Sequence, residues 1–170
     1  MLIWYLDLRQ IITIYENYNM ITIDELKLQL KNKSRLIGID MGSKRIGISI
    51  CDENRKIATP YETIFYENIE KLISKINDII VENNIKGIVV GLPLNMDGSE
   101  GRSVQSVKDK MKIITEKINI PVVLWDERLS TLGSFNISSQ LDINTSKKLK
   151  DIDKNSAAFI LQGSLDYLNK

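Results

Sequence analysis

The stretch Arg35-Leu-Ile-Gly-Ile-Asp40-Met-Gly-Ser-Lys44-Arg45-Ile-Gly-Ile-Ser-Ile-Cys51 decides how this chain of 170 residues folds. Leu36 to Asp40 reads as a buried strand. Arg45 to Cys51 reads as a second, with Ile46, Ile48 and Ile50 on one face and Gly47 and Ser49 on the other, since side chains alternate along a strand. The connection between them is short and contains Gly42, so a hairpin follows. Asp40 closes the first strand and opens a basic turn. A carboxylate there can hold a metal, and the turn's amides with Lys44 or Arg45 can hold a phosphate. From this segment alone an ordinary hairpin with a turn aspartate fits equally well.

Working outward, Ile57 to Ile64 reads as a third strand, which Pro60 places at an edge or bend. Asn68 to Asn83 carries Ile69, Leu72, Ile73, Ile76 and Ile80 at helical spacing, and Asn84-Ile85 with Gly87 ends that helix. Ile88-Val89-Val90 is a fully apolar run, as in central parallel strands, and stops at Gly91-Leu92-Pro93. Ser103 to Ile118 predicts a second helix, Val122 to Trp125 a strand, and Leu129 to Gln140 a third helix. Residues 142–152, with Lys147, Lys148 and Lys150, read as a polar loop; Asp153 then heads a last helix running to Leu168. The expected fold class is α/β: a mixed sheet with an antiparallel hairpin start, then parallel strands, and helices on both faces. In such sheets the active site lies beyond the carboxyl ends of the parallel strands.

Composition excludes several chemistries. The chain has no histidine, which removes imidazole catalysis and histidine-ligated zinc. Cys51 is alone, which rules out an internal disulfide and fits a reducing cytosol, so a cytoplasmic location is expected. A net charge of +1 provides no global field toward nucleic acid, so any such binding comes from local patches. Residues 1–14 are too short and too charged for a membrane span, and no membrane partner is expected. Residues 1–34 are expected to form an extension with a short helix, its apolar surface supplied by Leu26, Leu28 and Leu30, and residues 35–170 one domain. Met20 reads as a natural start: either it is the initiator, or residues 1–19 are a poorly tied extension.

Three acids far apart in the chain, Asp40, Glu127 and Asp153, fall at two strand ends and a helix start. There they can converge on one spot. Oxygen ligands without His or Cys select Mg²⁺ or Mn²⁺, ions that serve phosphoryl-transfer chemistry. Alternation turns Asp126 and Glu127 to opposite faces, which favours Glu127 for the site and leaves Asp126 to orient Arg128 or cap a helix. Asp153 by itself reads as a helix cap. The loop Gly91 to Arg102 has glycines that let backbone approach a ligand, and Asn95 and Arg102 suit phosphate or sugar.

Four motifs, Ile39-Asp40-Met-Gly42-Ser-Lys44-Arg45-Ile46-Gly47, Gly91-Leu-Pro93-Leu-Asn-Met-Asp97-Gly98-Ser-Glu-Gly101, Asp126-Glu127-Arg128-Leu-Ser130-Thr131, and Asp153 followed by Ala157 and Ile160-Leu161-Gln162, resemble in order those of the YqgF (RuvX-like) family. The resemblance spans about 35 to 168. It implies a ribonuclease H-like fold related to Holliday-junction resolvases, and a bacterial cytoplasmic nuclease that processes the 5′ end of pre-16S rRNA. Carried over, Asp40, Glu127 and Asp153 are the catalytic and metal-holding acids. The candidates for substrate contact are Gly42, Ser43, Lys44, Arg45, Asn95, Gly98, Arg102, Arg128 and Thr131. Cys51-Asp52, Ser130 and Gly133-Ser134 depart from the family pattern without removing an acid. The expected activity is metal-dependent hydrolysis of structured RNA. The alternatives are a four-way DNA junction resolvase, which would need a dimer, an actin-like kinase or ATPase, which would need two such domains, and a non-catalytic nucleic-acid-binding factor. Monomer and homodimer stay open.

Overall fold

The computed structural model describes residues 19–129 and 145–170. In chain order the elements are α1 (Ile23–Gln29), β1 (Arg35–Met41), β2 (Arg45–Cys51), β3 (Ala58–Phe65), α2 (Ile69–Glu82), β4 (Ile85–Leu92), α3 (Arg102–Thr115), β5 (Val122–Asp126), a 3₁₀ turn (Glu127–Leu129) and α4 (Thr145–Leu168). The sheet runs β3-β2-β1-β4-β5. β1–β2 and β2–β3 are antiparallel, while β1–β4 and β4–β5 are parallel. Pro60 sits in the edge strand β3, where the register shifts between Ile48 and Ser49 and the missing N–H costs no central ladder bond.

Each face buries its own core. Ile37, Ile39, Ile46, Ile48, Ile88 and Val90 pack under α2 and α3, which contribute Leu72, Ile76, Ile79, Val107, Met111 and Ile114. Leu36, Cys51, Val89, Val123 and Trp125 pack on the opposite side with Leu26 of α1 and Ile160, Leu161, Leu165 and Leu168 of α4. Alternation therefore puts Asp40, two residues beyond Gly38, on the α4 side of β1.

The first described residues are tied into this scheme. Thr22 and Glu25 form a reciprocal cap on α1, and Ile21 N donates to Val122 O at 2.9 Å. Leu26 is wholly buried and lies against Gly87, whereas Leu28, expected to cover apolar surface, is 87% exposed. On a helix, residues two apart point to different faces.

Two expectations need correction. Asn84, at φ 54, does end α2, but β4 starts at Ile85, so Gly87 is a strand residue, its bare Cα making room for Leu26 and Leu36. Residues 145–152 are not loop: α4 begins at Thr145, and Asp153 stands on its third turn rather than at its head. That stretch lacks Pro and Gly and carries three lysines and one leucine, good helix formers. Its few apolar residues hide the helical period. Of the helix expected over 129–140, the described part is only the 3₁₀ turn; the rest lies outside the described residues. Among the described residues no helix is long and apolar enough to cross a membrane.

Leu26→Ala should lower unfolding free energy by about 2–5 kcal/mol, as for deletion of a closed-in leucine. Urea denaturation checks this, and a loss near zero would mean that α1 does not share the core.

Candidate active site

Asp40 ends β1 and turns at once into the basic connection Gly42-Ser43-Lys44, where Gly42 N donates to Asp40 O at 3.1 Å. The second acid arrives through the helix. A Cβ on Gly47 would fall 1.9 Å from the Asp153 carbonyl oxygen and 2.9 Å from Lys154 N, so the α4 backbone lies directly on β2. Deeper along the helix, Ser49 Oγ donates to the Ala157 carbonyl at 2.8 Å, and Ala157 is fully buried. Gln162 fastens the other end: its Oε1 accepts from Ala58 N at 2.9 Å. Asp153 shares one stripe with Ala157, Ile160, Leu161, Ser164, Leu165 and Leu168, three or four residues apart, which turns its carboxylate toward the sheet. The third acid, Glu127, follows β5. A Cβ on Gly91 would lie 2.4 Å from Glu127 Oε1 and 2.5 Å from Ile160 Cδ1, which puts Glu127 on the α4 side, over the end of β4.

Electrostatics links the three. Burial, then the negative charge of Asp153, pushes the Asp40 carboxyl up to about 6. Burial again, then the charges of Asp40 and Asp126, pushes Glu127 up to about 7. Asp40 is thus the middle member of a row of like charges. Asp126 is kept apart from it. Arg128 Nε donates to both of its carboxylate oxygens at 3.0 Å and Nη2 to Oδ2 at 2.6 Å, which holds Asp126 below the usual carboxylate range. Both roles open to Asp126 from sequence are seen: it orients Arg128, and its Oδ1 caps the 3₁₀ turn by accepting from Arg128 N at 3.0 Å.

Arg45 Nε stands 2.9 Å from Asp153 Oδ2. The pair is close but off the line of a hydrogen bond, and Oδ2 is buried with no hydrogen-bond partner. Gly42, Ser43, Lys44, Arg45, Phe65 and Asp153 line a cleft of about 470 Å³. The other contact candidates scatter more widely. Gly98, at φ +85, leaves room for the Arg128 guanidinium, whose Nη1 would be 3.2 Å from a Cβ there. Asn95 spends its amide within its own loop, donating to Ser99 Oγ at 2.8 Å. Arg102 is exposed on the first turn of α3. Thr131 lies outside the described residues, and Lys147, Lys148 and Lys150 fall on the first turns of α4 rather than in a loop.

The family model described as RuvX, Holliday junction resolvase, matches residues 34–167. The chain belongs to the RuvX family. With the family comes the activity class, that of nucleases, hydrolases of ester bonds. A protein of Pelagibacter ubique (strain HTCC1062), provisionally named a pre-16S rRNA nuclease, is 59% identical over 150 residues, covering 88% of this chain and 99% of that one. One of Rhizobium meliloti (strain 1021), with the same provisional name, is 39% identical over 153 residues, covering 88% and 90%. The RuvX sheet and helices resemble T. thermophilus RuvC, solved in complex with Holliday junction substrate, at TM-score 0.51 and 10% identity, covering 76% of this chain and 91% of that one. The fold is ribonuclease H-like, as the motifs implied.

The three acids suit a hard divalent cation in kind: all are oxygen donors, and Asp153 Oδ2 is buried with no aligned hydrogen bond, only the nearby charge of Arg45. Among the described residues no three acidic groups stand close enough to enclose one ion, so loading requires the side chains to draw together. Phe65 was not singled out from sequence, and Gly47 and Gly91 were read there as motif residues rather than as the points where α4 and Glu127 come close. The alternation that put Gly47 opposite Ile46 and Ile48 was the available signal for a close helix.

Gly47→Ala should cost about 1–3 kcal/mol of stability, because helix backbone rather than a flexible side chain meets the new methyl. Chemical denaturation measures it, and wild-type stability would show that α4 does not rest on Gly47. A second expectation concerns pH. Asp40 and Glu127 have folded-state pKa values raised above their unfolded ones. Their contribution to stability is therefore full at low pH and is lost as pH rises through about 6 and about 7, with Asp153 and Asp126 adding repulsion and Arg45 opposing it. No histidine titrates in that window. In EDTA, Tm should fall from about pH 5 to about pH 8, and Mg²⁺ should restore more of it at the upper end. A Tm that stays flat or rises in EDTA contradicts this.

Proposed function

We propose that this chain is a metal-dependent nuclease that hydrolyses phosphodiester bonds in structured RNA in the cytoplasm, trimming the 5′ end of pre-16S rRNA. Residues 35–170 are the nuclease domain and residues 1–34 an extension carrying a short helix. The observation that carries this is the row of three mutually repelling carboxylates on the α4 side, Glu127, Asp40 and Asp153, supplied by three separate elements. Buried like charges cost stability unless cations neutralise them. The name borne by a relative at 59% identity supports RNA as the substrate.

In this scheme Asp40, Glu127 and Asp153 hold Mg²⁺ or Mn²⁺. When bound, the ion polarises the phosphate and lowers the pKa of water. The chain's own residues do the positioning. Gly42 lets the backbone come close, Ser43 offers a backbone N–H group, and Lys44 and Arg45 offer charge, to the phosphate next to the acids. Arg128, locked by Asp126 against Gly98, presents a fixed edge to the substrate from the far side. Asn95, Gly98, Arg102 and Thr131 extend that contact along the strand. Arg45 guards Asp153 until substrate and cation take its place.

A second reading is cleavage of four-way DNA junctions. The family's description and the fold shared with T. thermophilus RuvC favour it.

The test offers three labelled substrates, pre-16S leader RNA, a four-way DNA junction and plain duplex, with Mg²⁺ or Mn²⁺. The leader RNA should be cut and EDTA should abolish cutting. Asp40→Asn and Asp153→Asn should each lose at least about 10²-fold in rate, since loss of a metal contact removes several kcal/mol of transition-state stabilisation. Cleavage that survives both substitutions sinks the site, and preference for the junction favours the second reading.

A further inference from the structure

Phe65, the last residue of β3, is 73% exposed. A lone exposed apolar side chain is ordinary on a protein surface. The placement of this one is not. Phe65 is the direct cross-strand partner of Arg45, and Tyr66 N donates to Lys44 O at 3.0 Å, which holds the end of β3 against the basic turn. Directly opposed residues share a sheet face, and Arg45 shares its face with Gly47 and Ser49, the side on which the acids stand. The ring lines one cleft with Gly42, Ser43, Lys44, Arg45 and Asp153. Its volume of about 470 Å³ falls within the range of about 300–1,000 Å³ that holds small ligands.

We propose that Phe65 is a stacking platform for an unpaired nucleobase adjacent to the phosphate cut at the acidic centre. This rests on the nuclease reading above and adds the substrate feature that the site selects. The turn offers amides and two cations to phosphate, and Phe65 offers the one aromatic face among the described residues of the cleft. Any base can stack, so Phe65 discriminates little between sequences. It does discriminate between states: a base inside a continuous duplex already has both faces covered, whereas one in a loop, bulge or splayed end has a face to give. The site is thereby matched to a strand that leaves its helix at the cut.

The test is binding of a fluorescein-labelled single-stranded RNA of about twelve nucleotides, and of the blunt duplex of the same sequence, with Ca²⁺ replacing Mg²⁺. Phe65→Ala should weaken single-strand binding by roughly tenfold, as for loss of one base–aromatic stack, while Phe65→Trp keeps it and duplex binding is the same for all three proteins. A 2-aminopurine in the strand should be quenched by the wild type and by Phe65→Trp but not by Phe65→Ala. Single-strand binding that is indifferent to Phe65→Ala, or an equal loss for strand and duplex, overturns the proposal. Cleavage of leader RNA with binding indifferent to Phe65 sinks the stacking alone, and a Phe65-dependent strand affinity with no cleavage of any substrate sinks the nuclease reading alone.

Discussion

The acidic centre depends on one backbone contact, the α4 helix lying on Gly47 of β2. Helices normally stand off a sheet by the thickness of two side-chain layers. Here Gly38 and Gly47 remove the sheet's layer, Ala157 thins the helix's, and the Ser49 hydroxyl replaces apolar contact with a hydrogen bond to the helix carbonyl. A methyl at Gly38 would meet Ser49 Oγ at 2.4 Å and Leu161 Cβ at 2.6 Å, so the close approach runs along the helix rather than at one point. Short carboxylate side chains such as aspartate can reach one another only across such a gap. Had α4 been held at the usual distance, Asp153 would face solvent above β2, and Asp40 would not feel its charge.

That approach creates an electrostatic burden that the fold manages by separation. Four carboxylates converge near the ends of β1 and β5, and one of them, Asp126, is withdrawn by a guanidinium fork on its own 3₁₀ turn. Arg45 approaches another of them, Asp153, without forming an aligned bond. Arg45 is also the cross-strand neighbour of Phe65. A single side chain therefore faces both Asp153 and the ring across the cleft they share. On the function proposed above, a loosely held cation there leaves both the buried oxygen and the guanidinium able to exchange partners when phosphate and metal enter together.

How much of this could be read from the chain varies with the kind of force involved. Strands β1 and β2 were legible because Ile46, Ile48 and Ile50 alternate with Gly47 and Ser49, and burial enforces that register. The edge position of β3 was legible because proline lacks a donor. The choice of Glu127 over Asp126 followed from period-two geometry, and the Glu127 contact with Gly91 agrees with it. Asp153 was placed on the wrong turn because the first turns of α4 carry few apolar residues and give no period to follow. The exposure of Phe65 was not legible at all: Ile64 and Phe65 look equally apolar in sequence, and only the pairing of β3 with β2 decides which of them faces the cleft.

Net charge bears on how such a site finds its substrate. At +1 the chain exerts little long-range pull on a polyanion, and its exposed cations near the cleft, Lys44 and Arg45, share that space with acids. Few neutralised phosphates mean few released counterions, so the electrostatic part of binding is small and weakly dependent on salt. On the function proposed above, affinity comes from contacts that act only at short range: backbone amides in the turn, a fixed guanidinium at Arg128, and an aromatic face at Phe65. Such contacts reward shape rather than charge density. They favour a folded nucleic acid that can present a distorted backbone and an unpaired base together over an extended duplex that presents only phosphates.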